Sequence, residues 1–107
     1  MASYVPEAGD LVWLTFDPQA GRRPTLILSP RAYNQKSGLA LACPVTSQVK
    51  GYPFEVAIRH GQQLAGVILA DHVRSVDWKA RRASRIGPVG DDVLDEVLAK
   101  LAPLLGF

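Results

Sequence analysis

The chain has 107 residues, of which 48% are hydrophobic and 21% charged, and its formal net charge is +2. This length accommodates one packed core, so we expect a single domain over residues 1–107, and the composition excludes an intrinsically disordered chain. No apolar run approaches the roughly 20 residues of a membrane span, and the start lacks the features of a signal peptide. The single cysteine, Cys43, excludes an internal disulfide and a zinc site built from cysteines alone. We therefore expect a cytoplasmic protein with no membrane partner.

Short hydrophobic runs separated by turn residues predict six strands. They cover residues 11–16, 25–28, 39–43, 54–59, 67–70 and 73–78. The first run is rich in β-branched and aromatic residues, which is typical of a strand buried on both faces. Phe54, Val56 and Ile58 alternate with other residues, so the fourth strand should have one solvated face. Residues 31–33 allow a helical turn, and residues 34–38 are typical of a tight turn.

The hydrophobic period changes from Asp91 onward. Apolar side chains recur there at three and four residues, at Leu94, Val97, Leu98, Leu101 and Leu105. Acidic residues precede and interrupt this series in its first turns, where a helix dipole favours them. This pattern predicts one amphipathic helix, whose apolar face packs on the core or, less simply, forms an interface. The chain is therefore predicted to be mainly β with one C-terminal α-helix, as a small, strongly curved antiparallel sheet or barrel.

Two basic and polar tracts carry the chemistry, residues 22–24 and residues 44–56. They supply two guanidinium groups, two hydroxyls, an amide and an ammonium group, from Arg22, Arg23, Thr46, Ser47, Gln48 and Lys50. No carboxylate occurs within the second tract until Glu55. Such groups bind and polarise a phosphodiester, so the tracts indicate RNA as a ligand. The structural alternatives are exposed cations at a strand entry and hydroxyls that form a turn.

Several short tracts of the chain resemble the MazF/PemK family of toxin endoribonucleases. They are Tyr4-Val5-Pro6, Gly9-Asp10-Leu11-Val12-Trp13, Arg23-Pro24, Leu28-Ser29-Pro30, Tyr33-Asn34, Pro44-Val45-Thr46-Ser47-Gln48, Lys50-Gly51-Tyr52-Pro53-Phe54-Glu55-Val56 and Gly66-Val67-Ile68-Leu69-Ala70-Asp71. The resemblance implies an SH3-like antiparallel barrel of the CcdB/PemK-like type and a homodimer. It also implies sequence-specific cleavage of single-stranded RNA with no metal or other cofactor. The implied chemistry is attack of a ribose 2′-hydroxyl on its own 3′-phosphate, which leaves a 2′,3′-cyclic phosphate and a 5′-hydroxyl.

The same resemblance implies roles for individual residues. Arg23 matches the family's catalytic arginine and Thr46 its catalytic threonine, and the Ser47 hydroxyl would add a donor nearby. Asp71 matches a position that serves as base in some members, but the arginine two residues earlier in the family is Leu69 here. For Asp71 we favour a structural role, bonding backbone amides or an arginine.

The resemblance and the position of the polar residues also predict binding surfaces. Beside the catalytic set we predict three RNA-binding residues, Arg22, Gln48 and Lys50. A groove lined by Trp13, Phe16, Arg23 and Lys50 would suit the extended acidic tail of a MazE-like antitoxin, which would compete with RNA for the same cations.

One departure from the family pattern concerns the connection ahead of Arg23. Family members usually carry a loop resembling Gly-His-Glu-Gln-x-Gly there, which contributes an acid or a histidine to the site. Here residues 19–21 lead directly into Arg22, and those side chains are missing. Either the loop is truly short, which favours a weakened or inactive module that binds RNA or antitoxin, or some of its residues are absent from this sequence. A gyrase poison of the same barrel type is disfavoured, because the chain ends in Leu105-Gly106-Phe107 and not in a tryptophan.

Overall fold

The computed structural model of the protein describes residues 4–17, 21–58 and 64–107. Its elements are β1 (Asp10–Asp17), β2 (Gly21–Ile27), α1 (Arg31–Ser37), β3 (Ala40–Thr46), β4 (Glu55–Ala57), β5 (Val67–Leu69), β6 (Arg74–Val76), β7 (Ser84–Pro88), α2 (Asp91–Leu101) and a 3-10 turn (Ala102–Leu105). Within the described part of the chain, no helix is long and apolar enough to cross a membrane.

The strands form one antiparallel sheet in the order β4-β5-β3-β2-β1-β7, and β6 pairs with the other part of β3. β1 and β2 stay paired as far as Asp17 and Gly21, so residues 18–20 connect them. Among the described strands, β4 and β7 lie at opposite ends of this order without pairing to each other. The prediction of a mainly antiparallel β chain with a C-terminal helix is confirmed, while the sheet is open and not a closed barrel.

The sheet separates two hydrophobic clusters, because neighbouring residues of a strand point to opposite faces. Leu11, Leu26 and Cys43 belong to the first cluster, which also contains Val93 and Val97 of α2. In β1, β2 and β3, the second cluster contains residues that are adjacent in sequence to those of the first. It consists of Val12, Leu14, Ile27, Ala40, Ala42, Val76 and Trp78. The strand predicted at residues 11–16 is therefore buried on both faces, and Trp78 packs in the second cluster.

A seventh strand, β7, was not predicted from the sequence. Its segment Ser84–Pro88 has only one large apolar residue and is mostly exposed. β7 pairs with β1 at the edge of the sheet, where a strand needs no apolar face and proline is tolerated. Its existence depends on the pairing with β1 and not on its own hydrophobic pattern.

The helix α1 is longer than the single turn that the sequence allowed. Residues 34–37, predicted as part of a tight turn, continue the helix, and Gly38 ends it with a φ of 74°. Asn34 is completely buried, and its amide nitrogen donates to the carbonyl oxygens of Pro6 and Ser29 at 2.8 and 2.9 Å. The indole nitrogen of Trp78 donates to the Asn34 carbonyl at 2.9 Å. These long-range bonds stabilise a helix in a segment whose composition favours a turn.

Several boundaries also differ from the predicted ones. β3 continues to Thr46, three residues beyond the predicted end, whereas the strands predicted at residues 54–59 and 73–78 are shorter. The last residue of the former, Arg59, lies outside the described residues. α2 begins at Asp91 as predicted, but Leu98 and Leu105 of the expected apolar face are 41% and 63% exposed. The extension of β3 places Thr46 at the end of the strand.

Candidate active site

A cleft opens where β3 separates from β2. The two strands are paired as far as Thr25 and Pro44, and Pro44 has no backbone N–H with which to extend the ladder. Beyond this point Val45 and Thr46 pair with β5 on the other side. The divergence leaves a cavity of about 640 Å³ between the start of β2 and the end of β3.

The polar lining of the cleft is cationic. Among the described residues it consists of Arg22, Arg23, Arg74, Thr46, Ser47 and Gln48, with the ring of Phe16 beside them. No carboxylate or histidine occurs in this described lining. Guanidinium groups in a concave site raise the local concentration of anions, so the cleft favours a polyanionic ligand.

The two adjacent arginines serve different faces of β2. Arg22 lies opposite Thr15 of β1, whereas Arg23 lies opposite Leu14 of the second cluster. The Arg22 guanidinium donates to Thr15 Oγ1 and Ser84 Oγ, both at 2.7 Å, and to the Arg82 carbonyl at 2.8 Å. Arg22 therefore holds β1 and the start of β7 onto β2.

The Arg23 guanidinium is exposed and has no hydrogen bond or ion pair to any described residue. It is the arginine of the pair that is available to a ligand. Its position in the cleft is compatible with the catalytic role that the resemblance implied. Arg22, which was predicted to bind RNA, contributes to the same lining.

The strand end at Thr46 is held from two sides. The backbone N–H of Gln48 donates to Thr46 Oγ1 at 3.1 Å, so the hydroxyl forms the turn that the structural alternative expected. The Thr46 hydroxyl proton remains available to a further acceptor, because a hydroxyl accepts and donates at once. The neighbouring Ser47 is exposed in the same cleft.

Gly66 holds the backbone of Thr46 from the other side. A Cβ atom at Gly66 would lie 2.4 Å from the carbonyl oxygen of Thr46, and Gly66 has a φ of 133°. Only glycine accommodates both the contact and the backbone conformation without strain. The approach of this residue thus places Thr46 at the cleft.

Arg74 is a cleft residue that the sequence analysis did not select. Its guanidinium carbon lies 5.3 Å from the centroid of the Phe16 ring, and that of Arg81 lies 4.8 Å from the same ring. The sequence feature that could have indicated Arg74 is the excess of basic residues between positions 74 and 85. Which of its cations reaches the cleft depends on the pairing of Arg74 with Ala42 of β3.

Lys50 lies beside a second, smaller cavity of about 150 Å³. Thr46 and Gln48 line both cavities, so the two are contiguous. The remaining described lining of the small cavity is Tyr52, Glu55, Leu69 and His72. The structure therefore brings Lys50 next to the catalytic candidates, but not into the described lining of the large cleft.

Two predicted site residues, Trp13 and Asp71, lie outside the described lining of both cavities. Trp13 is on the face of β1 that carries Thr15, opposite to the face of Leu14. The Asp71 carboxylate is exposed and lies 3.8 Å from His72 Nε2.

Burial raises the pKa of the Cys43 thiol to about 12, and the charge of Asp71 adds to this effect. Within the described residues, no three His, Cys, Asp or Glu side chains form a group that could hold a metal ion.

Comparison with known proteins shows the family. Residues 7–105 match the profile of the PemK-like, MazF-like toxins of type II toxin-antitoxin systems. The chain is 48% identical to the endoribonuclease toxin MazF of Escherichia coli K12, over 99% of each chain. It is 58% identical to a chain in the crystal structure of MazE-MazF from Deinococcus radiodurans, with a TM-score of 0.93 over 97% of this chain and 99% of that one. A structure of MazF from D. radiodurans has 56% identity and a TM-score of 0.91 over 98% and 100% of the two chains. The cationic cleft is lined by the Arg23-Pro24 and Thr46-Ser47-Gln48 tracts, and the matches extend over nearly the whole length of the chain. The chain therefore belongs to the PemK/MazF-like family of toxins.

Proposed function

We propose that this chain is the endoribonuclease toxin of a toxin-antitoxin pair and cleaves single-stranded RNA at the cleft between β2 and β3. The observation that carries this proposal is the meeting of Arg23, Thr46 and Ser47 in one cationic cleft. They come from tracts about twenty residues apart in the sequence. The endoribonuclease names of the E. coli relatives support the reaction class.

The proposed reaction is attack of a ribose 2′-hydroxyl on the adjacent 3′-phosphate. The phosphorane that forms carries more negative charge than the starting diester, so a fixed cation beside it lowers the barrier. Arg23 suits this task, because its guanidinium is not engaged by any described residue and can bind two phosphate oxygens at once. The hydroxyl protons of Thr46 and Ser47 supply further donors. The reaction releases a 2′,3′-cyclic phosphate and a 5′-hydroxyl without forming a covalent enzyme intermediate.

The substrate contacts proposed around this centre are Arg22, Gln48 and Lys50. Gln48 lies between the two cavities and Lys50 at the smaller one, so both can reach nucleotides next to the reacting phosphate. Asp71 remains a weaker candidate for a base, since its carboxylate lies outside both described linings.

The test is cleavage of a long, weakly structured RNA by the purified protein in EDTA, with the new ends mapped. We expect discrete fragments with 5′-hydroxyl ends. Arg23→Ala should lower the cleavage rate about 100- to 1,000-fold, which is the effect of removing one transition-state donor from other enzymes. A cleavage rate in Arg23→Ala close to that of the wild-type protein would contradict the proposed role of Arg23. Cleavage that requires added metal would contradict the proposed chemistry.

A second candidate is a module of the same fold that binds RNA or antitoxin without cutting. It is favoured by the connection of three residues between the paired ends of β1 and β2, and by the absence of an acid or histidine from the described cleft lining. The alignment to the E. coli relative spans 111 positions, more than this chain has residues, so that relative contains residues without a counterpart here. Intact RNA after incubation with a folded protein that still binds RNA would establish this candidate.

We also propose that an antitoxin with an acidic, extended tail occupies the cleft in competition with RNA. Solved MazE-MazF structures from D. radiodurans support an antitoxin partner. Phe16 and Arg23 line the cleft and Lys50 the adjoining cavity, which supports these three residues as contacts, whereas Trp13 lies on the other face of β1. An acidic peptide should bind more weakly to the double variant Arg23→Ala, Lys50→Ala, and equal binding would overturn this assignment.

The remaining proposals concern the state of the chain in the cell. We propose one domain over residues 1–107, supported by the continuous sheet and by the family match to residues 7–105. We propose a homodimer, supported by apolar side chains that stay exposed near the C-terminus. A cytoplasmic location follows from the proposed RNA substrate.

A further inference from the structure

The small cavity beside Thr46 has an exposed aromatic ring at its rim. Tyr52 is 60% exposed, and the ammonium nitrogen of Lys50 lies 6.0 Å from the centroid of its ring. An exposed ring next to a cation is the arrangement with which proteins stack the bases of single-stranded nucleic acids and hold the attached phosphate.

The loop that carries Tyr52 is fixed before any ligand binds. The Glu55 carboxylate accepts the backbone N–H groups of Lys50 and Gly51 at 3.1 and 2.9 Å, and the Glu55 N–H donates to the Tyr52 carbonyl at 3.1 Å. From α2, the ammonium group of Lys100 donates to the Pro53 carbonyl at 2.7 Å. A preformed stacking surface loses little conformational entropy on binding, which increases affinity. These bonds also occupy both oxygens of Glu55, the acidic group of the cavity lining.

Two polar side chains at the cavity are able to contact a base edge. The Gln48 side-chain amide has no hydrogen-bond partner among the described residues, and among the same residues the His72 ring has one charged contact, the Asp71 carboxylate at 3.8 Å. An amide and an imidazole each offer donors and acceptors of the kind that read the Watson-Crick edge of an unstacked base.

We propose that this cavity is a base-binding subsite that selects a pyrimidine in the nucleotide next to the scissile phosphate, with Tyr52 as the stacking surface and His72 as a specificity-determining residue. The inference rests on the proposed endoribonuclease function. Its position follows from Thr46 and Gln48, which line both the reaction cleft and this cavity. Its preference follows from size, because a volume of about 150 Å³ is that of a cavity that holds a single benzene ring, and a purine needs room for two fused rings.

The first experiment measures cleavage of a randomised RNA pool and reads the base preference at every position around the cut. The wild-type protein should select a pyrimidine at one position beside the cut. His72→Ala should reduce the preference at that position about two- to tenfold, the worth of one hydrogen bond, and leave the other positions unchanged. A preference that does not change in His72→Ala, or that changes equally at all positions, would overturn the role of His72.

The second experiment measures binding of oligonucleotides that carry a 2′-deoxyribose at the cut site and are therefore not cleaved. Tyr52→Ala should bind about five- to 150-fold more weakly, as expected for loss of one base-aromatic stack, and Tyr52→Phe should retain most of the affinity. Tyr33→Ala is the matched control, because Tyr33 is an exposed tyrosine of α1 that lies in neither described lining. Equal binding by Tyr52→Ala and Tyr33→Ala would overturn the subsite.

The two experiments separate failure of the subsite from failure of the proposed function. If the wild-type protein cuts no RNA, the endoribonuclease proposal fails, and the binding measurement is made with oligo-U, oligo-C, oligo-A and oligo-G. Tighter binding of the pyrimidine oligomers that depends on Tyr52 would then still support the subsite. Equal binding of all four oligomers would overturn it.

Discussion

Arg22 and Arg23 are neighbours in sequence that the extended backbone of β2 directs to opposite faces. Arg22 has its guanidinium bonded to Thr15, Arg82 and Ser84, whereas that of Arg23 has no partner among the described residues. Both were predicted to contact RNA because of their residue type, and the family resemblance also implied a catalytic role for Arg23. Side-chain direction in a strand has a period of two, so the two side chains leave β2 in opposite directions, although both contribute to the described cleft lining.

The pair allows a matched test at the level of single residues. We expect Arg22→Ala to lower the free energy of unfolding by about 1–2 kcal/mol, since four protein hydrogen bonds at an exposed site are lost. Arg23→Ala should change it by less than about 0.5 kcal/mol while lowering the cleavage rate about 100- to 1,000-fold. Urea denaturation followed by circular dichroism measures the first quantity in both variants. A larger loss of stability in Arg23→Ala than in Arg22→Ala would contradict the assignment of faces.

Cys43 gives a second prediction for a single residue. Its side chain is completely buried in β3, and burial raises its pKa to about 12. Because the thiolate is the reactive form, the folded protein should resist alkylation by iodoacetamide near pH 8, and the same protein in concentrated urea should react fully. Intact-mass spectrometry counts the added groups, and rapid labelling of the folded protein would show that Cys43 is accessible.

At the scale of elements, the site depends on how the segment before β5 meets the end of β3. Gly66 approaches the Thr46 carbonyl so closely that any Cβ atom would clash with backbone. Thr46 is therefore positioned by a residue twenty positions later in the chain, through pairing of the two strands.

We predict that Gly66→Ala destabilises the protein by about 1–3 kcal/mol and lowers cleavage by more than the loss of folded protein explains. Both the strained φ of 133° and the displaced Thr46 carbonyl contribute. Thermal unfolding and the cleavage rate per folded molecule separate the two effects. Gly38→Ala is the control, since Gly38 also has a positive φ, of 74°, but its Cβ would meet no atom within 4 Å and it lies in neither described lining. Equal loss of activity in both variants would show that the contact with Thr46 is not the cause.

How far elements were predictable from sequence depended on their surroundings. The buried strand at the start of the chain and the helix α2 were recognised, because their hydrophobic periods reflect burial directly. The edge strand β7 and the helix α1 were missed or shortened. Their stability comes from partners distant in sequence, β1 for the former and Pro6 and Trp78 for the latter, which no local pattern reveals.

At the scale of the whole molecule, α2 and the turn after it leave part of their apolar surface uncovered. Val93 and Val97 are buried against the sheet, while Leu98, Leu104, Leu105 and Phe107 are between 41% and 90% exposed. Contiguous apolar side chains on a small protein commonly mark a protein interface.

We predict that the protein is a dimer in solution and that the double variant Leu105→Asp, Phe107→Asp shifts it towards monomer. Light scattering coupled to size-exclusion chromatography measures the mass at a series of concentrations. Val49→Asp is the control, because Val49 is 64% exposed but lies in the loop after β3. A dimer that persists in the double variant would place the interface elsewhere.

By itself, the sequence determined the class of the fold and the chemistry available to it. The alternation and runs of apolar residues specify local conformation, and the tracts at residues 22–24 and 44–56 contain the arginine, hydroxyl and amide groups that suit a phosphodiester. The tertiary structure decided which of these groups share a site. Strand pairing turns Arg23 and Arg22 to different faces, adds Arg74 to the cleft and sets Tyr52 and His72 beside Lys50. These neighbours are joined by contacts between distant segments, whereas a short sequence pattern reports only the conformation and burial of its own residues.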